Sequence, residues 1–113
     1  MGNPTIAVPS LAKFFESNHA VEAVVSNPPK PMGRGRKLNQ TPVAKKALEL
    51  ELPLFQPQAL TELDFIDSLR TIQPELFVVV AFKILPEVLL DIPSLGAVNL
   101  HASLLPAYRG AAP

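Results

Sequence analysis

The chain has 113 residues, a length that fits one small domain. It is 48% hydrophobic and carries ten basic and ten acidic residues, the composition of a soluble, folded chain and not of a disordered one. Without cysteine there are no disulfides and no thiolate metal sites. The two histidines show neither HxH nor HxxxH spacing, so no metal site is expected. No apolar run is long enough to span a bilayer. The N-terminus lacks a basic segment followed by an apolar one, so cytoplasm is the expected location.

Zero net charge hides an uneven distribution. Lys30, Arg34, Arg36, Lys37, Lys45 and Lys46 are six of the ten basic residues, and no acidic residue falls between Glu22 and Glu49. A basic segment on a neutral chain can hold a polyanion locally.

Gly2-Asn3-Pro4 reads as a turn leading into a short helix, with Ile6, Leu11, Phe14 and Phe15 roughly on one face. Ala20 to Val25 is a mostly apolar strand candidate. Residues 26–40 read as a loop rich in proline, glycine and positive charge. Thr41-Pro42 starts a helix: threonine caps, and proline sits where its missing N–H costs nothing. That helix is expected to reach about Leu50. Leu54-Phe55-Gln56 is a short strand between prolines. Thr61 to Asp64 resembles a capping box with Asp in place of Glu. Leu63, Ile66, Leu69 and Ile72 then give helical spacing. Leu76 to Ala81 is the strongest strand candidate, because it is apolar and largely β-branched. Pro86 opens a short helix to about Asp91, and Gly96 to Leu100 is the last strand.

Helices alternating with apolar strands predict an α/β fold with a mostly parallel, doubly wound sheet. In such sheets ligands sit beyond the C-terminal ends of the strands. Asn99 and His101 fall at such an end, two residues apart, so in extended backbone they share a side. An amide donor beside an imidazole can stabilise a developing oxyanion and move a proton. A capping Asn and a partly exposed His are the bland alternative. Leu104-Leu105-Pro106 is too apolar for a solvent loop, so it packs under the sheet edge or walls a flat apolar ligand site. Arg109-Gly110 holds an anion or turns the chain, and Tyr108 reads as packing. Gly33-Arg34-Gly35-Arg36-Lys37 matches neither a P-loop nor a dinucleotide fingerprint. It suits contact with a phosphate backbone, or it is a solvated basic loop. His19 is given no role.

The tail Asn99-Leu-His101-Ala-Ser103-Leu104-Leu105-Pro106-Ala-Tyr-Arg-Gly-Ala-Ala-Pro113 resembles the signature of the folate-dependent formyltransferases. Met1-Gly2-Asn3-Pro4, the segment Asn27 to Leu38, and Val78 to Pro86 resemble further stretches of that family, in the same order. The resemblance covers essentially the whole chain and is strongest to the branch that formylates methionyl-initiator tRNA. It implies a Rossmann-like formyltransferase fold with helices on both faces of the sheet. It also implies transfer of a formyl group from 10-formyltetrahydrofolate to the methionyl amino group of initiator tRNA in translation initiation. By that resemblance Asn99 and His101 are catalytic, and Ser103, Leu104, Leu105 and Pro106 shape the folate pocket. Arg34, Arg36 and Lys37 would contact the tRNA, and no metal or membrane is involved.

The family also has a short apolar strand before Met-Gly-x-Pro, central in its sheet, a site Asp further downstream, and a C-terminal tRNA-binding domain. Residues 1–113 are therefore expected to be part of an N-terminal catalytic domain, inactive in isolation. Folate-dependent relatives that act on glycinamide ribonucleotide, on an amino-sugar nucleotide or on formyltetrahydrofolate itself are alternatives. So is a non-catalytic, RNA-binding α/β module.

Overall fold

A computed structural model describes residues 1–33, 35 and 37–100, the Met32 side chain excepted. Those residues form a mixed α/β structure. A 3-10 turn at Thr5–Ala7 runs into α1 (Val8–Glu16), and β1 is Val24–Val25. Next come β2 (Lys30–Met32), β3 (Lys37–Asn39), α2 (Pro42–Glu49) and β4 (Leu54–Phe55). α3 (Leu63–Ile72), β5 (Phe77–Val80), α4 (Glu87–Leu90) and β6 (Ala97–Leu100) follow.

β1 runs parallel to β4, with Val24 opposite Leu54 and Val25 opposite Phe55. β5 runs parallel to β6, with Val79 opposite Asn99 and Val80 opposite Leu100. Met1 and Gly2 lie between these two pairs. The Gly2 N–H donates to the Val25 carbonyl at 3.0 Å, and the Val80 N–H donates to the Met1 carbonyl at 2.8 Å. Gly2 forms a parallel bridge with Val80. The lateral order is therefore β4, β1, Met1–Gly2, β5, β6.

The expected continuous sheet is not what the described residues form: the two parallel pairs meet only through that short link. The strand expected over Ala20–Val25 shortens to its last two residues, Val24 and Val25, which are the ones paired with β4, itself two residues long between Pro53 and Pro57. Beside the link lies a cleft of about 670 Å³, bordered by residues of the segments 20–25 and 74–78.

Adjacent strand residues point to opposite faces, and both faces are covered. Val24 and Val80 pack with Ala7, Val43 and Ala47. Val25, Phe77 and Val79 pack with Phe65, Ile66, Leu69 and Leu89 on the other side. Helical segments thus flank β1 and β5 from both directions.

Several expectations need correction. Residues 26–40 are not an irregular loop: β2 and β3 make an antiparallel hairpin, with Lys30 opposite Asn39 and Met32 opposite Lys37. The face of the first helix is Ala7, Leu11 and Phe14, while Ile6 and Phe15 are exposed. The spacing 7, 11, 14 is the true helical stripe, and a search for large apolar residues passes over Ala7. The capping box at Thr61 does not form. α3 starts one residue later than it requires, and the Glu62 carboxylate instead accepts from the Ala59 N–H at 2.9 Å. Of the four residues that gave helical spacing, Leu63 is 75% exposed, while Ile66 and Leu69 are buried together with Phe65. Every residue of β6 is exposed, and among the described residues β6 pairs on one side only, with β5.

Candidate functional site: the C-terminal edge of the strands

Each parallel strand delivers a residue to one edge. β4 ends at Gln56, β1 at Ser26-Asn27, the N-terminal link at Asn3, and β5 at Ala81, while Asn99 and Leu100 close β6. With neighbouring strands about 4.8 Å apart, the strands that carry Asn27 and Asn99 are offset laterally by three spacings, about 14 Å, and Asn27 lies two residues further along than Asn99, which is level with Val25.

The β1 half of this edge is a connected polar cluster. The Asn3 Oδ1 accepts from the Asn27 N–H at 2.8 Å and from the Ser26 hydroxyl at 3.0 Å. Ser26, which is fully buried, thereby spends its one proton. The short Ser26–Thr41 hydroxyl contact of 2.5 Å must then be donated by Thr41. The Thr41 Oγ1 in turn accepts from the Ala44 N–H at 3.0 Å. A directed chain of hydrogen bonds therefore runs from the first turn of α2 to Asn3 and fixes the helix on the strand ends. The cap that Thr41-Pro42 announces is present, with Pro42 as the first helical residue.

The hairpin rises from this cluster. Lys30 and Lys37 are exposed on it and make no ion pair among the described residues, whereas Lys46 on α2 pairs with Glu49 at 3.4 Å. Gln56 donates from one Nε2 to the Asn27 carbonyl at 3.1 Å and to the Gln40 Oε1 at 2.5 Å. Asn27 Oδ1 is buried without a partner among the described residues.

Among the residues expected in the site, Asn99 lies in β6, exposed and opposite Val79, and Lys37 lies in β3. His101, Ser103, Leu104, Leu105, Pro106, Arg34 and Arg36 lie outside the described residues. Sequence reading missed Asn3, Ser26, Gln40 and Gln56. Each is a single polar residue directly after a strand or beside a turn, and what they share emerges only when the strand ends come together.

Parallel strand pairs between helices, with polar residues gathered at the C-terminal edge, define a mixed α/β protein. Within it, the family model described as formyl transferase matches residues 1–113, and the chain belongs to that family. It is 49% identical over 114 residues to the methionyl-tRNA formyltransferase of Clostridioides difficile, covering all of this chain and 37% of that relative. Identity to the methionyl-tRNA formyltransferase of Porphyromonas gingivalis is 51% over 113 residues, with 35% of the relative covered. For that of Moorella thermoacetica it is 52% over 114 residues, with 37% covered. The chain thus spans little more than a third of the length of the curated relatives it matches.

Proposed function

We propose that this chain is part of the catalytic domain of an enzyme that moves a formyl group from 10-formyltetrahydrofolate to the amino group of methionyl-initiator tRNA. The supporting observation is that a lysine-bearing hairpin and the Asn99 amide stand on the same edge of the strands. The strands that carry them are offset by about 14 Å, so a nucleic acid on the hairpin could present its end to Asn99. On this reading the two parallel pairs belong to one Rossmann-like sheet, and an apolar strand preceding Met1 takes the cleft beside it. A downstream Asp and a C-terminal tRNA-binding domain complete the enzyme, which works in the cytoplasm.

In the proposed reaction the methionyl nitrogen attacks the formyl carbon and the folate N10 leaves. Asn99 donates a hydrogen bond to the formyl oxygen as it gains charge. His101 carries the proton lost by the amine to N10, so the atoms balance. Ser103, Leu104, Leu105 and Pro106 border the folate, and Arg34, Arg36 and Lys37 hold the tRNA near its acceptor end through salt-dependent contacts.

The test is a chimera in which these 113 residues replace the matching 114-residue segment of the Clostridioides difficile relative. It is expected to formylate methionyl-tRNA, and Asn99→Ala is expected to lower the rate roughly 10²–10³-fold. A chimera whose Asn99→Ala variant works unimpaired refutes the catalytic assignment. RNA binding by the chain that ignores the aminoacyl group would favour a plain RNA-binding module instead.

A further inference from the structure

The basic hairpin leaves the strand edge at Asn27 and returns to it at Gln40, and one side chain bonds to both places. Gln56 comes from a different element, the end of β4, and its Nε2 donates to the Asn27 carbonyl and to the Gln40 Oε1. Because the first acceptor is a backbone carbonyl, the Gln56 amide has only one workable orientation, and Gln40 must then present its oxygen. The Asn3–Ser26–Thr41 chain fixes strand ends to α2 and holds the hairpin's two ends from outside, at the Asn27 N–H and at Thr41 directly after Gln40, whereas Gln56 is the side chain that bonds both Asn27 and Gln40 themselves.

From Asn27 to Gly33 the arm is six residues, about 20 Å when extended. A tilt of roughly 15° at its base displaces the tip by about 5 Å, more than the reach of a hydrogen bond. The base therefore sets where the hairpin's charges stand. Both Gln56 contacts lie at that base, partly shielded from water, where hydrogen bonds hold geometry best.

We propose that Gln56 is a positioning residue that sets the angle of the β2–β3 hairpin over the strand edge, so that Lys30 and Lys37 meet a nucleic-acid backbone in one orientation. This rests on the reading of the hairpin as the tRNA-facing element, and the test separates the two. Gln56→Ala removes both donors without adding charge. Gln56→Glu keeps the size but places a carboxylate against the Asn27 carbonyl. Gln40→Ala removes one of the two contacts from the hairpin side.

Amide hydrogen exchange in the full-length chimera described above is measured for Lys30–Met32 and Lys37–Asn39, with Phe77–Val80 as the internal reference. Binding of a synthetic acceptor-stem minihelix is titrated at two salt concentrations. The hairpin amides are expected to exchange about tenfold faster in both Gln56 variants, and less so in Gln40→Ala, while β5 is unchanged. Minihelix affinity should fall several-fold in Gln56→Ala and at least as far in Gln56→Glu, and the loss in Gln56→Ala should persist at the higher salt. Unchanged hairpin exchange in Gln56→Ala overturns the proposal, as does faster exchange with unchanged affinity. If the chimera with Gln56 unaltered formylates methionyl-tRNA but Arg34→Ala and Lys37→Ala leave its minihelix affinity unchanged, the reading of the hairpin as the tRNA-facing element fails and takes the proposal with it, while the exchange arm still reports whether Gln56 fixes the hairpin.

Discussion

Gly2 is determined by the backbone beside it. A Cβ built there would sit 2.7 Å from the Val80 carbonyl oxygen and 3.1 Å from the Ala7 Cβ. The first is a main-chain atom in β5 and cannot rotate away, so Gly2→Ala must push the link and β5 apart. The expected loss is about 1–3 kcal/mol, read as a lower urea midpoint at an unchanged slope. A midpoint equal to that of the parent chain would show that the link is not held this close. Thr41 makes a different kind of contribution, through its hydroxyl. Thr41→Ala removes the cap on Ala44 and the donor to Ser26, and should cost about 1 kcal/mol or more, whereas Thr41→Ser keeps both bonds and should cost much less. Equal losses in the two variants would assign the effect to the missing methyl group instead.

The hairpin shows why some elements are readable in the sequence and others are not. Thr41-Pro42 was legible because capping chemistry is contained in two adjacent residues. β5 was legible because four consecutive apolar positions have no use at a surface. β2 and β3 carry neither signal: they contain Lys30, Pro31, Lys37 and Asn39, and as a two-stranded ribbon they have no buried face to impose alternation. The readable hint was the glycine pair. Gly33 and Gly35 take φ of +68° and +81°, a region other residues enter at a cost. Nothing lies within 4 Å of the place a Gly33 Cβ would take, so Gly33→Ala is expected to act through backbone strain alone, by about 1–2 kcal/mol. Exchange should therefore quicken in Lys30–Met32 and stay unchanged in β5, and an equal effect on both would contradict a self-contained hairpin. The polar edge was illegible for a further reason. Asn3, Ser26, Gln40 and Gln56 are scattered along the chain, and only the strand order assembles them.

At the scale of the whole molecule, the join between the two parallel pairs depends on Met1. In the 113-residue chain by itself, where Met1 carries a free amine in place of the peptide N–H it would have behind the proposed preceding strand, the amino group donates to the Val78 carbonyl at 2.6 Å, and burial at the end of the cleft lowers its pKa from 8.0 to about 6. The folded chain therefore binds fewer protons there than the unfolded chain between these two values. Stability should consequently rise with pH from about 6 to about 8, and be lowest, with respect to this group, below 6. Two pKa units correspond to at most about 3 kcal/mol. His19, Glu22 and Glu75 also line the cleft, so the test has to single out the amine. Acetylation of Met1 does, because an acetamide keeps one N–H for the Val78 carbonyl, cannot be charged, and extends a peptide group into the cleft. Urea midpoints at pH 6 and pH 8 should differ for the free amine and draw together on acetylation, with the larger gain at pH 6. A free-amine chain equally stable at both values would show that the amine leaves the cleft for water, and that the link between β1 and β5 is held by the Gly2 N–H on Val25 and the Met1 carbonyl on Val80.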